Sequence, residues 1–383
     1  MSAASQEPAA GSAGDAPMTG TPDAPVAPTG AAPVAEAPDV PVIETLEVTK
    51  HFSAGHGGLG HGGPRRGRPG GHRPMLKAVD GISLAIRRGE TLALVGETGS
   101  GKTTFGRLIL GLYRPTSGDI RYRGASILDA RSEAARLVRR QVQGVFQDPY
   151  SSLNPVMTVG QALAEVLKVH RVVGKDDRRE RVAELLTTVG LSPAQAARKP
   201  VAFSGGERQR VGIARALAVE PEVIIADEPL SALDLSIQAQ VLNLMNRLQD
   251  ERGLTYLFVT HDLDVARHIS QRTAVLYLGR VVEEAPTADI FAEPLHPYTQ
   301  ALVRAAPRLT TKRKAAKPAL AGELPNAIDR PPGCHFHPRC PSVMPVCREQ
   351  EPPLIRLGSG RTVACHLHGP AMTASPAASV SSR

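Results

Sequence analysis

Hydrophobic and polar positions alternate along this chain with two different periods. Thr91-Leu92-Ala93-Leu94-Val95, Glu222-Val223-Ile224-Ile225-Ala226-Asp227 and Leu254-Thr255-Tyr256-Leu257-Phe258-Val259-Thr260 are short, nearly continuous apolar runs, as expected of strands buried on both faces. Val182, Leu185, Leu186 and Val189 stand at i, i+3, i+4 and i+7, which predicts a surface helix over residues 179–189 with one buried stripe. Val42-Ile43-Glu44-Thr45-Leu46-Glu47-Val48 alternates like an edge strand. From residue 76 to about 285 strands and helices follow one another, the pattern of an α/β fold with a mainly parallel sheet, and no internal repeat of it is visible.

The flanks read differently. Residues 1–41 are rich in Ala, Pro and Gly and hold almost no large apolar side chains, so they are expected to be disordered, as are residues 371–383. A Gly/His/Arg-rich stretch at 53–74 interrupts the pattern. His51, His56, His61 and His72 are metal-ligating in type, but so much glycine favours a flexible insertion over a fixed site. Beyond residue 280 the chain becomes Pro-rich, and a smaller C-terminal module is expected over 286–370.

The first apolar run leads into Gly96-Glu97-Thr98-Gly99-Ser100-Gly101-Lys102-Thr103, a G-x-x-x-x-G-K-T phosphate-binding loop, and then into a helical pattern from Thr104 to Leu110. Glycines let backbone N–H groups curl round an anion, and the helix N-terminus adds partial positive charge. Lys102 is placed to reach the β- and γ-phosphates and Thr103 to hold Mg²⁺. The second run ends in Asp227, a candidate Mg²⁺ ligand. Glu228 follows at once, a carboxylate able to orient and polarise a water. Phe203-Ser204-Gly205-Gly206-Glu207-Arg208-Gln209-Arg210 opens a long helix and forms a second anion grip of a hydroxyl and backbone N–H groups. Two grips on one chain exceed what one nucleotide needs from one side, which points to a face-to-face dimer sharing each nucleotide.

Charge and composition narrow the partners. The 383 residues carry a formal net charge of +8, and all Lys and Arg lie beyond residue 49, where seven acids precede them. Such a basic body suits nucleic acid or an anionic membrane face. Aromatic content of only 3% without Trp argues against a base-stacking surface. No apolar run approaches the roughly 20 residues that span a bilayer, and the start lacks the basic and apolar regions of a signal peptide. A cytosolic chain is expected, one that takes membrane spans from other chains if it works at a membrane.

Five separated motifs, over about residues 42–285, resemble the ATP-binding cassette (ABC) ATPases: the phosphate loop, Gln147, the Ser-Gly-Gly segment, Asp227-Glu228 and His261. The resemblance implies a P-loop NTPase core with a mainly parallel sheet, an antiparallel β subdomain and a helical subdomain at about 145–205. It implies that Gln147 senses Mg²⁺ and water, that Ser204, Gly205 and Gly206 contact the γ-phosphate across the dimer, that Asp234 in Ser231-Ala232-Leu233-Asp234 lies at the dimer seam and that His261 touches the γ-phosphate. Thr104 is then near the α-phosphate, and Phe52 (or His51) stacks on adenine. The catalytic set implied is Glu228, His261, Gln147 and Lys102. The family usually has Leu-Ser-Gly-Gly-Gln where this chain has Phe-Ser-Gly-Gly-Glu. Glu207 thus brings a negative charge near a polyphosphate, and weaker grip is expected unless Arg208 or Arg210 compensates.

Gln147-Asp148-Pro149-Tyr150-Ser151-Ser152-Leu153-Asn154-Pro155, His296-Pro297-Tyr298-Thr299-Gln300-Ala301-Leu302 and Gly322-Glu323-Leu324-Pro325 resemble the dipeptide/oligopeptide importer ATPases, second-subunit type. That branch implies ATP and Mg²⁺ as ligands, a related ATPase as heterodimer partner, two permease subunits, an extracytoplasmic solute-binding protein, no nucleic acid, and a place on the cytoplasmic face of the plasma membrane. Nickel and other small-solute importers use similar ATPases, and a nucleic-acid-associated ATPase of the same superfamily is the reading from another class. Cys334, Cys340, Cys347 and Cys365 all lie in the tail, spaced C-x5-C, C-x6-C and C-x17-C. Clustered Cys in a cytosolic chain suggests metal. Four thiolates suit a 4Fe–4S cluster, which some members of the resembled branch carry. Zinc with His335, His337, His366 or His368, or four free buried thiols, are the alternatives.

Overall fold

The computed structural model describes residues 40–53, 74–148, 153–305 and 325–369. His56, His61, His72 and both terminal tails lie outside the described residues. Chain order runs β1 (Ile43–Ser53), β2 (Met75–Ile86), β3 (Thr91–Val95), α1 (Lys102–Ile109), β4 (Ser117–Tyr122), β5 (Ala125–Ser126), α2 (Glu133–Gln141), β6 (Val142–Phe146), α3 (Val159–Val169), α4 (Arg178–Thr188) and α5 (Gly205–Leu217). It continues through β7 (Val223–Asp227), α6 (Leu235–Arg252), β8 (Thr255–Thr260), α7 (Leu263–Ile269), β9 (Arg272–Tyr277), β10 (Arg280–Pro286), α8 (Thr287–Ala292), α9 (Pro297–Ala305), α10 (Val346–Glu349), β11 (Ile355–Arg356) and β12 (Thr362–Val363).

Two sheets result. One is antiparallel, in the order β2-β1-β4-β5, and the other has the order β11-β12-β10-β9-β3-β8-β7-β6. Its centre, β9-β3-β8-β7-β6, is parallel throughout. Parallel neighbours need crossovers, and helices supply them, which is why these strands are apolar on both faces. Side-chain alternation then divides the interior. Ile224, Ala226, Tyr256 and Phe258 point to one face, into a core with α3, α4, α5 and α6. Ile225, Leu257, Leu92 and Leu94 point to the other, against α1 and the antiparallel sheet. Ala93, Val95, Val275 and Tyr277 meet a third core containing Tyr298 and Phe336.

Helix boundaries have visible causes. The expected helix at 179–189 is α4, with Val182, Leu185 and Leu186 buried. α3 begins at a capping box in which Thr158 and Gln161 satisfy each other's backbone N–H groups. α6 begins at Asp234, whose side chain accepts from the N–H of Ile237, and ends at Gly253 in the left-handed conformation.

The described C-terminal residues pack onto the main sheet. They join one compact unit with the preceding core. β12 pairs with β10, and β11 with β12, extending the main sheet. Phe336 is 1% exposed between Tyr277 (5.3 Å, edge-on) and Tyr298 (5.4 Å between ring centroids). Burying a side chain of this size stabilises by about 1.5–3 kcal/mol, so the tail has an apolar anchor that its composition hides. No helix among the described residues is long and apolar enough to cross a membrane.

Candidate active site

The strand register builds the site. Val95 pairs with Thr260, Val259 with Asp227, and Asp227 with Phe146. Four parallel strands therefore end level with one another, and the next residue of each is Gly96, His261, Glu228 or Gln147. The carboxyl ends of parallel strands are where α/β sheets receive ligands.

After β3 the loop of residues 96–103 turns into α1. Gly101 has φ 104°, and a Cβ there would run into the carbonyl oxygen of Ala78, so only glycine fits. Gly279 donates its N–H to Ser100 O at 2.8 Å and so ties the loop to the turn after β9. Thr98 and Gly99 form the exposed tip, Ser100 is buried, and Thr104 is half-buried in the first turn of α1. Lys102 is 4% exposed and its Nζ donates to the carbonyls of Gly96 (2.8 Å) and Glu97 (3.0 Å). Burial pulls the Lys102 ammonium below its ordinary pKa, while the carboxylates of Glu228, Asp227 and Glu97 act in the opposite direction. The cation is stored at the loop rather than free in solvent.

Thr103 Oγ1 donates to Asp227 Oδ1 at 2.8 Å. Burial raises the Asp227 carboxyl. The Thr103 hydrogen bond and the Arg107 guanidinium oppose that rise, and Glu228 adds to it. A hydroxyl and a carboxylate in contact beside a buried lysine form a hard oxygen donor pair that fits Mg²⁺. Glu228 has φ 46°, rare for a residue with a side chain, and is held there by its N–H to Val259 O at 2.9 Å. Its Oε1 lies 3.3 Å from His261 Nδ1. The Glu228 side chain is 15% exposed and that of His261 53% exposed, so the carboxylate is lodged and the imidazole faces out. Gln147 is exposed just beyond β6.

At the end of β1, Phe52 is half-buried. Tyr113 meets it edge-on with centroids 5.5 Å apart, and the Lys50 ammonium lies 5.1 Å from its ring centre. Tyr113 was not singled out in the sequence, although its place just past α1 was a signal. His51, the other candidate for adenine, is engaged elsewhere. Its Nε2 is 2.9 Å from Asp80, which also pairs with Arg330 (2.7 Å) and Arg280 (3.1 Å). Burial alone would raise the Asp80 carboxyl, but His51 and the two guanidinium groups bring it down to about 2.

Ser204, Gly205 and Gly206 lie at the start of α5, on an element separate from the phosphate loop. Gly205 packs against Leu233, and Gly206 lies so close to Ile237 that a Cβ would collide with it. Ser204 is the N-cap: its Oγ accepts from the N–H of Glu207 (3.3 Å), and Glu207 Oε2 accepts from the N–H of Ser204 (2.8 Å). This capping box explains Glu207. Its carboxyl is held below its ordinary pKa by the Ser204 backbone N–H first, then by the Gln195 amide and the field of Arg198. Arg208 and Arg210, the expected compensators, donate to the carbonyls of Phe203 (2.6 Å) and Val189 (2.8 Å). The S-x-x-E spacing was the signal in the sequence. Asp234 caps α6, with Ser236 Oγ 3.1 Å from its Oδ1.

The four tail thiols do not make the expected metal centre. Among the described residues no group of three or more His, Cys, Asp or Glu side chains is arranged to hold a metal ion. Burial pushes the Cys334 and Cys365 thiols up to about 11, and Cys347 is buried. Phe336, packed between Tyr277 and Tyr298, anchors this part of the tail.

Comparison with known proteins bears on this geometry. The ABC transporter family model matches residues 79–231, and the model for the oligopeptide/dipeptide transporter C-terminal region matches residues 282–347. The chain is 48% identical over 301 residues to a probable peptide ABC transporter ATP-binding protein, y4tS, of Sinorhizobium fredii, covering 79% of this chain and 85% of the relative. It is 50% identical over 297 residues to the oligopeptide transport ATP-binding protein AppF of Bacillus subtilis (76% and 90%) and 47% identical over 291 residues to the dipeptide transport ATP-binding protein DppF of Escherichia coli (76% and 87%). Among solved structures, cbiO1 of Clostridium perfringens, part of an ABC transporter complex, aligns with a TM-score of 0.55 at 28% identity over 67% of this chain and 92% of that one. A dimeric ATP-binding cassette in a post-hydrolysis state, bound to ADP and Pi, aligns with a TM-score of 0.53 at 30% identity, covering 64% and 98%.

Proposed function

Because this chain belongs to the ATP-binding proteins of ABC-type oligopeptide and dipeptide transporters, and is an ATPase of that family, we propose that its hydrolysis energises peptide uptake. It would act at the cytoplasmic face of the plasma membrane with a related ATPase, two permease subunits and an extracytoplasmic solute-binding protein. The observation that carries this reading is the level row of Gly96, His261, Glu228 and Gln147 at the carboxyl ends of four parallel strands, with Lys102 and the Thr103–Asp227 pair beside it.

In this mechanism residues 96–103 cradle the phosphates of ATP, and Lys102 exchanges the carbonyls of Gly96 and Glu97 for phosphate oxygens. Thr103 and Asp227, with Gln147, would hold Mg²⁺. When bound, that ion neutralises charge on the β- and γ-phosphate oxygens. Glu228 orients and polarises the attacking water, and His261 fixes its carboxylate and faces the γ-phosphate. Water adds to the γ-phosphorus as the bond to ADP breaks, giving ADP and phosphate. Phe52, backed by Tyr113, offers a ring face to adenine.

The second grip of residues 204–206, with Asp234 nearby, serves a nucleotide on the partner ATPase, so ATP draws two chains together and phosphate release parts them. Residues 42–285 form the ATPase domain in this reading, with the helical subdomain at about 145–205 carrying the motion. A groove of about 240 Å³ bordered by Leu112, Gln143, Phe146, Gln209 and Arg215 touches both the strand before Gln147 and the helix that Ser204 caps. A permease segment seated there would feel both grips.

The test is Glu228→Gln in the assembled transporter with Mg²⁺ and ATP. Retained ATP, a trapped closed dimer and turnover reduced by about 100-fold or more are expected, and normal hydrolysis would remove Glu228 from its role. Stimulation of the ATPase by a peptide-loaded binding protein, and not by a nickel-loaded one, tests the cargo.

A further inference from the structure

Glu97 is the point of the phosphate loop where ties from distant parts of the chain meet. Its N–H donates to the hydroxyl of Tyr298 at 2.9 Å, and its carbonyl accepts from Lys102 Nζ and, at 3.1 Å, from the N–H of Ser100. Its carboxylate takes both arms of one guanidinium: Arg339 Nη1 to Oε2 at 2.7 Å and Nη2 to Oε1 at 2.9 Å. Arg339 is 5% exposed at its side chain and Glu97 27%. Tyr298 is fully buried.

Both partners belong to the C-terminal segment, 201 and 242 residues further along the chain. They are rigidly placed there. Tyr298 lies with its ring tilted against Tyr277, centroids 4.7 Å apart, and the Arg339 N–H donates to the carbonyl of Phe336, whose ring is locked between those two tyrosines. A bidentate guanidinium–carboxylate pair is among the strongest and most directional contacts available to side chains. Here it also neutralises the one carboxylate of the loop that receives a polyphosphate. Without it, Glu97 would repel the ligand and loosen the carbonyl against which the Lys102 ammonium is stored.

We propose that Arg339 and Tyr298 are positioning residues for nucleotide binding: the C-terminal segment grips Glu97 and thereby sets the affinity of the phosphate loop for ATP. The inference rests on the reading of residues 96–103 as the ATP cradle. Both residues act through Glu97, so the effect falls on binding and leaves the chemical step largely alone.

The experiment measures Mg–ATP affinity of the full chain, and KM and kcat of the assembled transporter, for Arg339→Ala, Arg339→Lys, Tyr298→Phe and Glu97→Gln, with melting temperature as a check on folding. Hydrogen bonds to charged groups of this kind translate into about a tenfold loss, so Arg339→Ala is expected to raise Kd and KM about tenfold with kcat within about threefold. Arg339→Lys and Tyr298→Phe are expected near threefold. In a Glu97→Gln background, which removes the charge to be neutralised, Arg339→Ala should add less than about twofold. A merely structural tail would lower stability and kcat together, and Glu97→Gln would not rescue it. A KM within twofold of the parent in folded Arg339→Ala, or a deficit that persists unchanged with Gln at 97, overturns the proposal. Should Arg339→Ala not fold, unaltered KM in both Arg339→Lys and Tyr298→Phe does so instead. Lys102→Ala in the same assay separates the two levels. If it binds ATP normally, the cradle reading fails together with the inference. If it loses ATP while the Arg339 variants keep it, the inference alone fails.

Discussion

The two anion grips of this chain are both helix N-termini, yet they are prepared in opposite ways. At the start of α1 the groups around the backbone N–H donors supply a cation: Lys102 is buried and held against the carbonyls of Gly96 and Glu97, with the Thr103–Asp227 pair beside it. At the start of α5 they supply an anion. Glu207 is folded back onto the Ser204 N–H, while Ser204 itself is exposed. The first is assembled from β3, β7, β9 and the tail. The second is stiffened by its own cap and exposed at Ser204, as half a site would be in the proposed dimer. In the proposed reading, the grip that binds within one chain is built from distant parts of it, and the grip that meets a partner is built locally and left open.

That contrast can be broken, most forcefully at Lys102. Lys102→Ala removes the stored cation, and the full chain should lose Mg–ATP affinity by about 100-fold, read by equilibrium binding. Ser204→Arg fills the open grip with a long side chain. ATP affinity of the full chain should stay within about twofold, while turnover of the assembled transporter falls about tenfold or more. Equal losses in both assays would mean that the second grip serves its own chain.

Acid should weaken a support of the first grip. The Asp80 N–H donates to Gly279, which holds Ser100, and the Asp80 carboxyl sits at about 2 against an ordinary 3.8. A depressed carboxyl contributes stability that is complete above about pH 4 and is lost as pH falls towards 2. Asp80→Asn should therefore cost about 1–3 kcal/mol near neutrality, and the difference in urea midpoint between it and the parent should shrink from pH 5 to pH 2. A difference that grows on acidification would contradict the pairing. The smallest effect belongs to the cap. Glu207→Ala should cost about 1 kcal/mol of stability, whereas Glu207→Gln, able to make the same box, should cost a few tenths at most and change turnover less than about threefold.

What the residue order alone determined about this protein is local. Apolar runs such as Val223-Ile224-Ile225-Ala226 can only be strands covered on both faces. A G-x-x-x-x-G-K-T segment between such a run and a helix can only be one kind of turn. The Ser204–Glu207 box was written there as well, in residues three apart. What only the tertiary structure decided are the contacts that join points far apart in the chain. The pairing of Phe146 with Asp227, which levels Gln147 with Glu228, depends on strand order. The anchoring of the tail by Phe336, and the hold of Arg339 on Glu97 across 242 residues, follow from packing. Short-range geometry follows from backbone dihedrals and side-chain period, which neighbouring residues express. Charge pairing and burial depend on distances that appear only when the sheet closes its cores.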